Sequence, residues 1–268
     1  MSIINKVYEK IRVKIYQYLF IRNFKTYDEA DIFCSRYFSN CYNNNYLNEY
    51  RFQKFKLNFN DLPFLNQPQY KCLTEIILLY IKKNSSLPRI LDFGGGFGDN
   101  YFYIENLLNE KIDFAVCESV SVVEINKKNN NNTLIKYYSD LKLAIDDFKP
   151  DIIYSSGTIQ YLKNPYEALK TIGQSKSKMV AFSRNSFGKE NIYTQLSFLN
   201  HHGTGKEPKN FKKKFVLFPH TVIEENLLKN IFSSSYKSIR ESKGINAGLT
   251  EKEYSKDLIF ERVYNDSI

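Results

Sequence analysis

From residue 89 onward the sequence alternates short apolar runs with amphipathic stretches, and this alternation limits the fold more than any other feature of the chain. The runs at 89–93, 112–117, 134–138, 151–155 and 179–183 are long enough for strands and too short for helices. Between them, 100–109, 140–148 and 164–172 carry helical spacing. Strands that are apolar on both faces and separated by helices pair through right-handed crossovers into a parallel sheet covered on both sides. The expected fold class is therefore α/β and Rossmann-like, with helices on both faces of a mostly parallel sheet. Further helices are expected at 70–83 and 221–232, and an antiparallel strand pair at 236–241 and 258–263. Residues 1–69 read as an N-terminal helical or irregular extension. Residues 70–268 read as the main domain, with an insertion at about 185–220 after the fifth strand.

A formal net charge of +9 over 268 residues points to an anionic partner or to solvated basic faces. The charge is uneven: residues 1–25 hold six Lys/Arg against one Glu, and 206–214 hold five Lys against one Glu. Ile4, Val7, Ile11, Ile15 and Leu19 form a helical stripe with basic residues between them. Such a helix either docks on the protein's own core or makes peripheral contact with an anionic membrane surface. Cys34, Cys41, Cys72 and Cys117 show no metal-ligand spacing, so no metal site is expected. The longest apolar run, 76–81, is too short to span a bilayer. The expected location is the cytoplasm, with the inner membrane face as the peripheral option.

The first strand runs into Asp92-Phe93-Gly94-Gly95-Gly96-Phe97-Gly98 and then a helix. Glycines there permit positive φ and close backbone approach to a ligand, and the helix start offers unpaired N–H groups. Glu118 ends the second strand, where a carboxylate can accept from both hydroxyls of a ribose. The spacing of Gly94, Gly96 and Gly98 departs from the G-x-G-x-x-G of dinucleotide sites. Asp92 is placed to meet an ammonium group, which S-adenosylmethionine carries and NAD lacks. Ligands sit beyond the carboxyl ends of the strands in such folds. Gln160 and Tyr161 after the fourth strand and Arg184 after the fifth are therefore expected near the ligand. Arg184 suits an anionic acceptor or a strand-end salt bridge. His201, His202 and His220 are the three histidines, and His202 and His220 are the leading candidates for a general base. A helix-capping role is also open to His220. Asp140 suits either the adenine amino group or a helix N-terminus.

These residues resemble the class I S-adenosylmethionine-dependent methyltransferases found in bacterial surface-polysaccharide (capsule and O-antigen) gene clusters. The resemblance runs through 90–98, 116–118 and 151–165, the last block holding Ser156-Gly157 and Gln160-Tyr161-Leu162. Weaker echoes lie at 27–30, 184–187, 194–195 and 218–220. It implies a seven-stranded sheet and S-adenosyl-L-methionine held by Asp92, Phe93, Gly94, Gly95, Gly96, Gly98, Glu118, Asp140, Ser156, Gly157 and Gln160. It makes 185–220 a substrate-binding insertion, with Tyr161, Arg184, His202 and His220 as candidate catalytic residues. The implied activity is O-methylation of a sugar, phosphate or phosphoramidate-type group on an anionic, sugar-nucleotide or glycan-precursor small molecule. Tyr27 and His220 stand where the family tends to carry Trp, and Ser186 where it often has Pro. These departures bear on acceptor contacts. Competing readings are a nucleic-acid methyltransferase, a non-catalytic Rossmann-like cofactor-binding protein, and an NAD-dependent oxidoreductase. Against the first, Ser155-Ser156-Gly157-Thr158 replaces an Asp-Pro-Pro-Tyr motif, and no cysteine nucleophile stands there. Oligomeric state is unassigned.

Overall fold

A computed structural model describes residues 15–16, 18–37, 44–58, 68–129, 134–199, 202, 207–211, 215–245 and 252–264. The main sheet comprises β2 (Ile90–Phe93), β3 (Phe114–Cys117), β4 (Ile135–Tyr138), β5 (Ile152–Ser156), β6 (Met179–Ser183), β9 (Tyr236–Lys243) and β10 (Lys256–Arg262). Its seven strands run in the order β4-β3-β2-β5-β6-β10-β9. The first five are parallel, and β10 is antiparallel to both β6 and β9. The expected Rossmann-like α/β fold with its C-terminal antiparallel pair is present. Phe93, Cys117, Tyr138, Ser155 and Phe182 lie in one row across the sheet. The loops that follow all leave from the same edge.

The period-two alternation of the strands divides their side chains between two cores. Leu91, Phe93, Ala115, Ile153, Phe182 and Phe260 face α6 (Leu141–Phe148), α7 (Pro165–Gly173) and α8 (Glu225–Phe232). Ile90, Phe114, Val116, Ile152, Ala181 and Ile259 face α3 (Lys71–Asn84) and α4 (Asp99–Leu108). One further helix, α5 (Val120–Asn129), fills the crossover between β3 and β4. The sequence predicts no element there, because β-branched and Asn residues give it little helical signal.

The stretch expected as an insertion at about 185–220 holds most of an antiparallel hairpin, β7 (Asn191–Phe198) and β8 (Phe215–Val222). The helix expected from 221 begins instead at Glu225, since Thr221 and Val222 belong to β8. His220 is thus a mid-strand residue, which removes a capping role. The N-terminal segment is stitched to this hairpin. Its β1 (Asn23–Phe24) pairs with β7. Its helices α1 (Tyr27–Ser35) and α2 (Asn45–Asn58) share a third core with β8 through Phe33, Cys34, Leu47, Tyr50, Leu217 and Phe218.

Most of the helical stripe expected at 3–21 lies outside the described residues. Ile15, Tyr16 and Tyr18 to Phe20 are helical. Tyr16 and Phe20 pack on Phe215, while Ile15, Tyr18 and Leu19 are exposed. Cys34, Cys72 and Cys117 are buried free thiols, and Cys41 lies outside the described residues. Among the described residues no helix is long and apolar enough to cross a membrane.

Candidate functional site

A cavity of about 760 Å³ opens at the carboxyl ends of β2 to β6, where the loops leave the sheet together. At one end the glycine loop forms its floor. Gly94 has φ +81°, and a Cβ there would stand 1.9 Å from Thr158 Oγ1, so the loop lies directly against the turn after β5. Gly94 N–H also donates to the Cys117 carbonyl at 2.8 Å. Phe93, Gly94, Gly95 and Gly96 line the cavity. Gly98 does not: its φ of +89° starts α4, and its Cα faces Ile135 and Tyr137.

Asp92 is buried on the cavity wall and accepts from Asn100 Nδ2 at 2.8 Å. Burial pushes its carboxyl up to about 7; the Asn100 bond opposes this, and the charges of Glu118 and Asp99 add to it. Burial likewise raises Asp99 to about 6, against the pull of Arg51 and Lys54. Glu118 accepts from Ser119 N–H at 2.6 Å on Oε2, and its Oε1 lies 3.3 Å from Arg51 Nη2. Asp140 caps α6 by accepting from Leu143 N–H at 2.7 Å and also lines the cavity. Ser156 and Gly157 also line it. Among the described residues no cluster suits a metal ion.

The opposite end gathers Tyr161, Arg184 and His202 with Tyr27, Asp31 and Lys163. Tyr27 OH donates to the Tyr161 carbonyl at 2.8 Å, joining α1 to the turn after β5. Arg184 sits in the left-handed region at φ +58°, a conformation that costs a non-glycine residue about 1–2 kcal/mol. Its guanidinium makes no ion pair or side-chain hydrogen bond among the described residues. His202 packs edge-on to Phe218 at 5.4 Å. His201 lies outside the described residues.

Gln160 and His220, like Gly98, stand off the cavity. Gln160 is buried behind the wall, where its Nε2 donates to the Arg184 carbonyl at 3.3 Å and clips the turns after β5 and β6 together. His220 is 1% exposed and does not line the cavity. The rings of Tyr161 and Tyr193 stand against it at 5.4 and 4.6 Å. Its Nδ1 lies 2.9 Å from Gln195 Oε1, which also accepts from Tyr161 OH at 2.8 Å. Its Nε2 faces Glu253 at 3.6 Å. Burial lowers its pKa and Glu253 opposes that shift. His220 thus braces Tyr161 from behind, off the cavity. Asp31 and Arg51 are cavity residues that sequence reasoning misses, because neither belongs to a local motif, and Tyr27, singled out only as a departure from Trp, joins them on the cavity.

No protein-family model matches the sequence, and no curated protein matches it. Solved structures do. An S-adenosylmethionine-dependent methyltransferase from Clostridium acetobutylicum is 11% identical with a TM-score of 0.48, covering 78% of this chain and 98% of that one. The magnesium protoporphyrin IX methyltransferase of Synechocystis is 12% identical with a TM-score of 0.46, covering 81% and 94%. An amino pentose methyltransferase of calicheamicin biosynthesis from Micromonospora echinaspora is 9% identical with a TM-score of 0.46, covering 74% and 93%. Likeness of this degree does not assign an activity; the side chains around the cavity have to.

Proposed function

We propose that the cavity binds S-adenosyl-L-methionine and directs its methyl group to an oxygen of an anionic or sugar-bearing small molecule. A phosphate-type group or activated sugar of a surface-polysaccharide precursor is the acceptor this reading favours. The observation that carries it is the pairing of Asp92 and Glu118 on either side of a glycine floor. Glu118 suits a ribose diol. Asp92, held near neutrality by burial, suits an ammonium group that restores its charge. A dinucleotide offers the ribose and no ammonium.

When bound, the cofactor supplies an electrophilic methyl on a sulfonium. The chain's own contribution is position and charge. Arg184, free of any carboxylate among the described residues, supports an acceptor that carries negative charge. Tyr161, braced through Gln195, forms a fixed wall at the same end. A phosphate oxygen requires no base; a sugar hydroxyl does, and His202 brings an imidazole to the cavity.

Calorimetry with S-adenosylhomocysteine tests the cofactor, and a screen of phosphorylated and nucleotide-activated sugars for S-adenosylhomocysteine release tests the acceptor. Absence of binding, together with a Gly96→Arg protein indistinguishable from wild type, would sink the reading.

A further inference from the structure

Arg51 brings a positive charge to the nucleoside end of the cavity from an element unrelated to the strand-end loops. Its Nη2 lies 3.3 Å from Glu118 Oε1, and the same nitrogen would stand 3.0 Å from a Cβ on Gly96. The guanidinium therefore reaches over the glycine floor to the carboxylate assigned above to the ribose. Both side chains are largely enclosed, 14% and 9% exposed. The other Glu118 oxygen already accepts from Ser119 N–H. A ribose diol that engages both oxygens must meet Arg51.

The helix beneath Arg51 is built to hold it there. Asn48, one turn earlier, accepts from Nη1 at 3.1 Å. Helix α2 rests on α5 through a small group of its own, Phe52, Phe97 and Val122, and through Ser121 Oγ donating to Asn45 at 2.8 Å. Lys54, 3% exposed on the same helix, adds a second cation. Arg51 and Lys54 both act on the charge of Asp99, and Lys54 also lies within the field of Glu207. A largely buried guanidinium leaves a carboxylate at lower cost when an incoming anion takes it up. S-adenosylmethionine and S-adenosylhomocysteine bring such an anion in the α-carboxylate of their amino-acid tail. A nucleoside lacking that tail brings none.

Resting on the cofactor reading above, we propose that Arg51 makes the site discriminate between a nucleoside with an amino-acid tail and a bare one. Glu118 surrenders the guanidinium to the tail's carboxylate and in return accepts the ribose. Arg51 is then a specificity-determining residue for the cofactor, acting by exchange of partners and not by shape.

Calorimetry on the full chain tests this with S-adenosylhomocysteine and 5′-methylthioadenosine, which share the nucleoside and differ in the tail. The expected result for Arg51→Gln is 5′-methylthioadenosine bound about tenfold tighter and S-adenosylhomocysteine about tenfold weaker than by wild type. Arg51→Lys, which keeps the charge without the planar fork, is expected to fall between the two. It also serves if the glutamine variant folds poorly, as thermal melting would show. If Arg51 merely braces Glu118, both ligands weaken in the variants, and that outcome overturns the proposal. So does 5′-methylthioadenosine affinity that stays unchanged. Wild-type protein that binds neither ligand overturns the cofactor reading itself and this proposal with it. Wild-type binding with the wrong response in the variants overturns only the role of Arg51.

Discussion

At the nucleoside end of the cavity, the floor and Glu118 follow directly from adjacent strands, β2 and β3, whose parallel register sets their height. At the acceptor end, Tyr27 and Asp31 come from α1, Tyr161 and Arg184 from the turns after β5 and β6, and His202 from the link between β7 and β8. One end is fixed by neighbours in the sheet. The other is assembled from segments far apart in sequence, and it depends on the hairpin and on the N-terminal helices that pack against it. Glycine shows the contrast at single residues. Gly94 has no room for a methyl group, whereas at Gly157, with φ +63°, an added Cβ would keep 3.7 Å from its nearest neighbour.

Filling both glycines puts this contrast under the greatest strain. Gly94→Ala combines a left-handed strain with direct overlap on Thr158 and is expected to cost about 3–5 kcal/mol. That is a melting shift on the order of 10 °C, with loss of S-adenosylhomocysteine binding. Gly157→Ala carries the backbone strain alone, about 1–2 kcal/mol, and should still bind. Equal losses in differential scanning calorimetry would erase the distinction.

Next in size is the charge at the nucleoside end. Glu118→Gln keeps the shape and removes charge-assisted bonds, and roughly 10- to 100-fold weaker S-adenosylhomocysteine binding is expected. Arg184→Met, at the other end, should leave that affinity unchanged. Calorimetry on both variants checks the pair.

The carboxylates beside the glycine floor add a dependence on pH. Asp92 and Asp99 have pKa values raised by burial from 3.8 to about 7 and about 6, so each takes up a proton on folding within that window. Their contribution to stability is present below pH 3.8 and is lost as pH rises through the window. Melting of the ligand-free protein should therefore reveal a downward contribution between about pH 4 and pH 7. A cationic nucleoside such as sinefungin should flatten it. A contribution that rises with pH would contradict the burial of Asp92. The smallest effect is expected from Arg184→Gly, which relieves the left-handed strain and should gain about 0.5–1 kcal/mol while losing any turnover that depends on the cation.

The difference between the ends also decides how much is legible in the sequence. Strand runs such as 179–183 can be placed because both faces are buried and nearly every side chain is apolar. The glycine floor, Glu118 and Asp140 can be placed because strand ends and helix starts fix them locally. The hairpin is hidden because β7 sets buried Tyr193 and Thr194 side by side among partly exposed residues, a pattern too mixed to declare a strand. Arg51 is hidden because α2 spreads polar residues around its circumference and gives no facing stripe. His220 misleads for a different reason: a lone histidine reads alike whether it faces a ligand or, as here, the back of Tyr161.

The placement of β10 has a consequence for how the molecule is made. This strand is last among those described, yet it lies inside the sheet, between β6 and β9. During synthesis β6 therefore presents an unpaired flank to the cell until residue 262 has left the ribosome, and β9 has nothing to dock on. An open flank of this kind is where nascent chains pair with the wrong partner. A stalled or clipped product ending near residue 245 would carry the whole cavity wall and still expose that flank, and it should be a preferred client of chaperones and proteases.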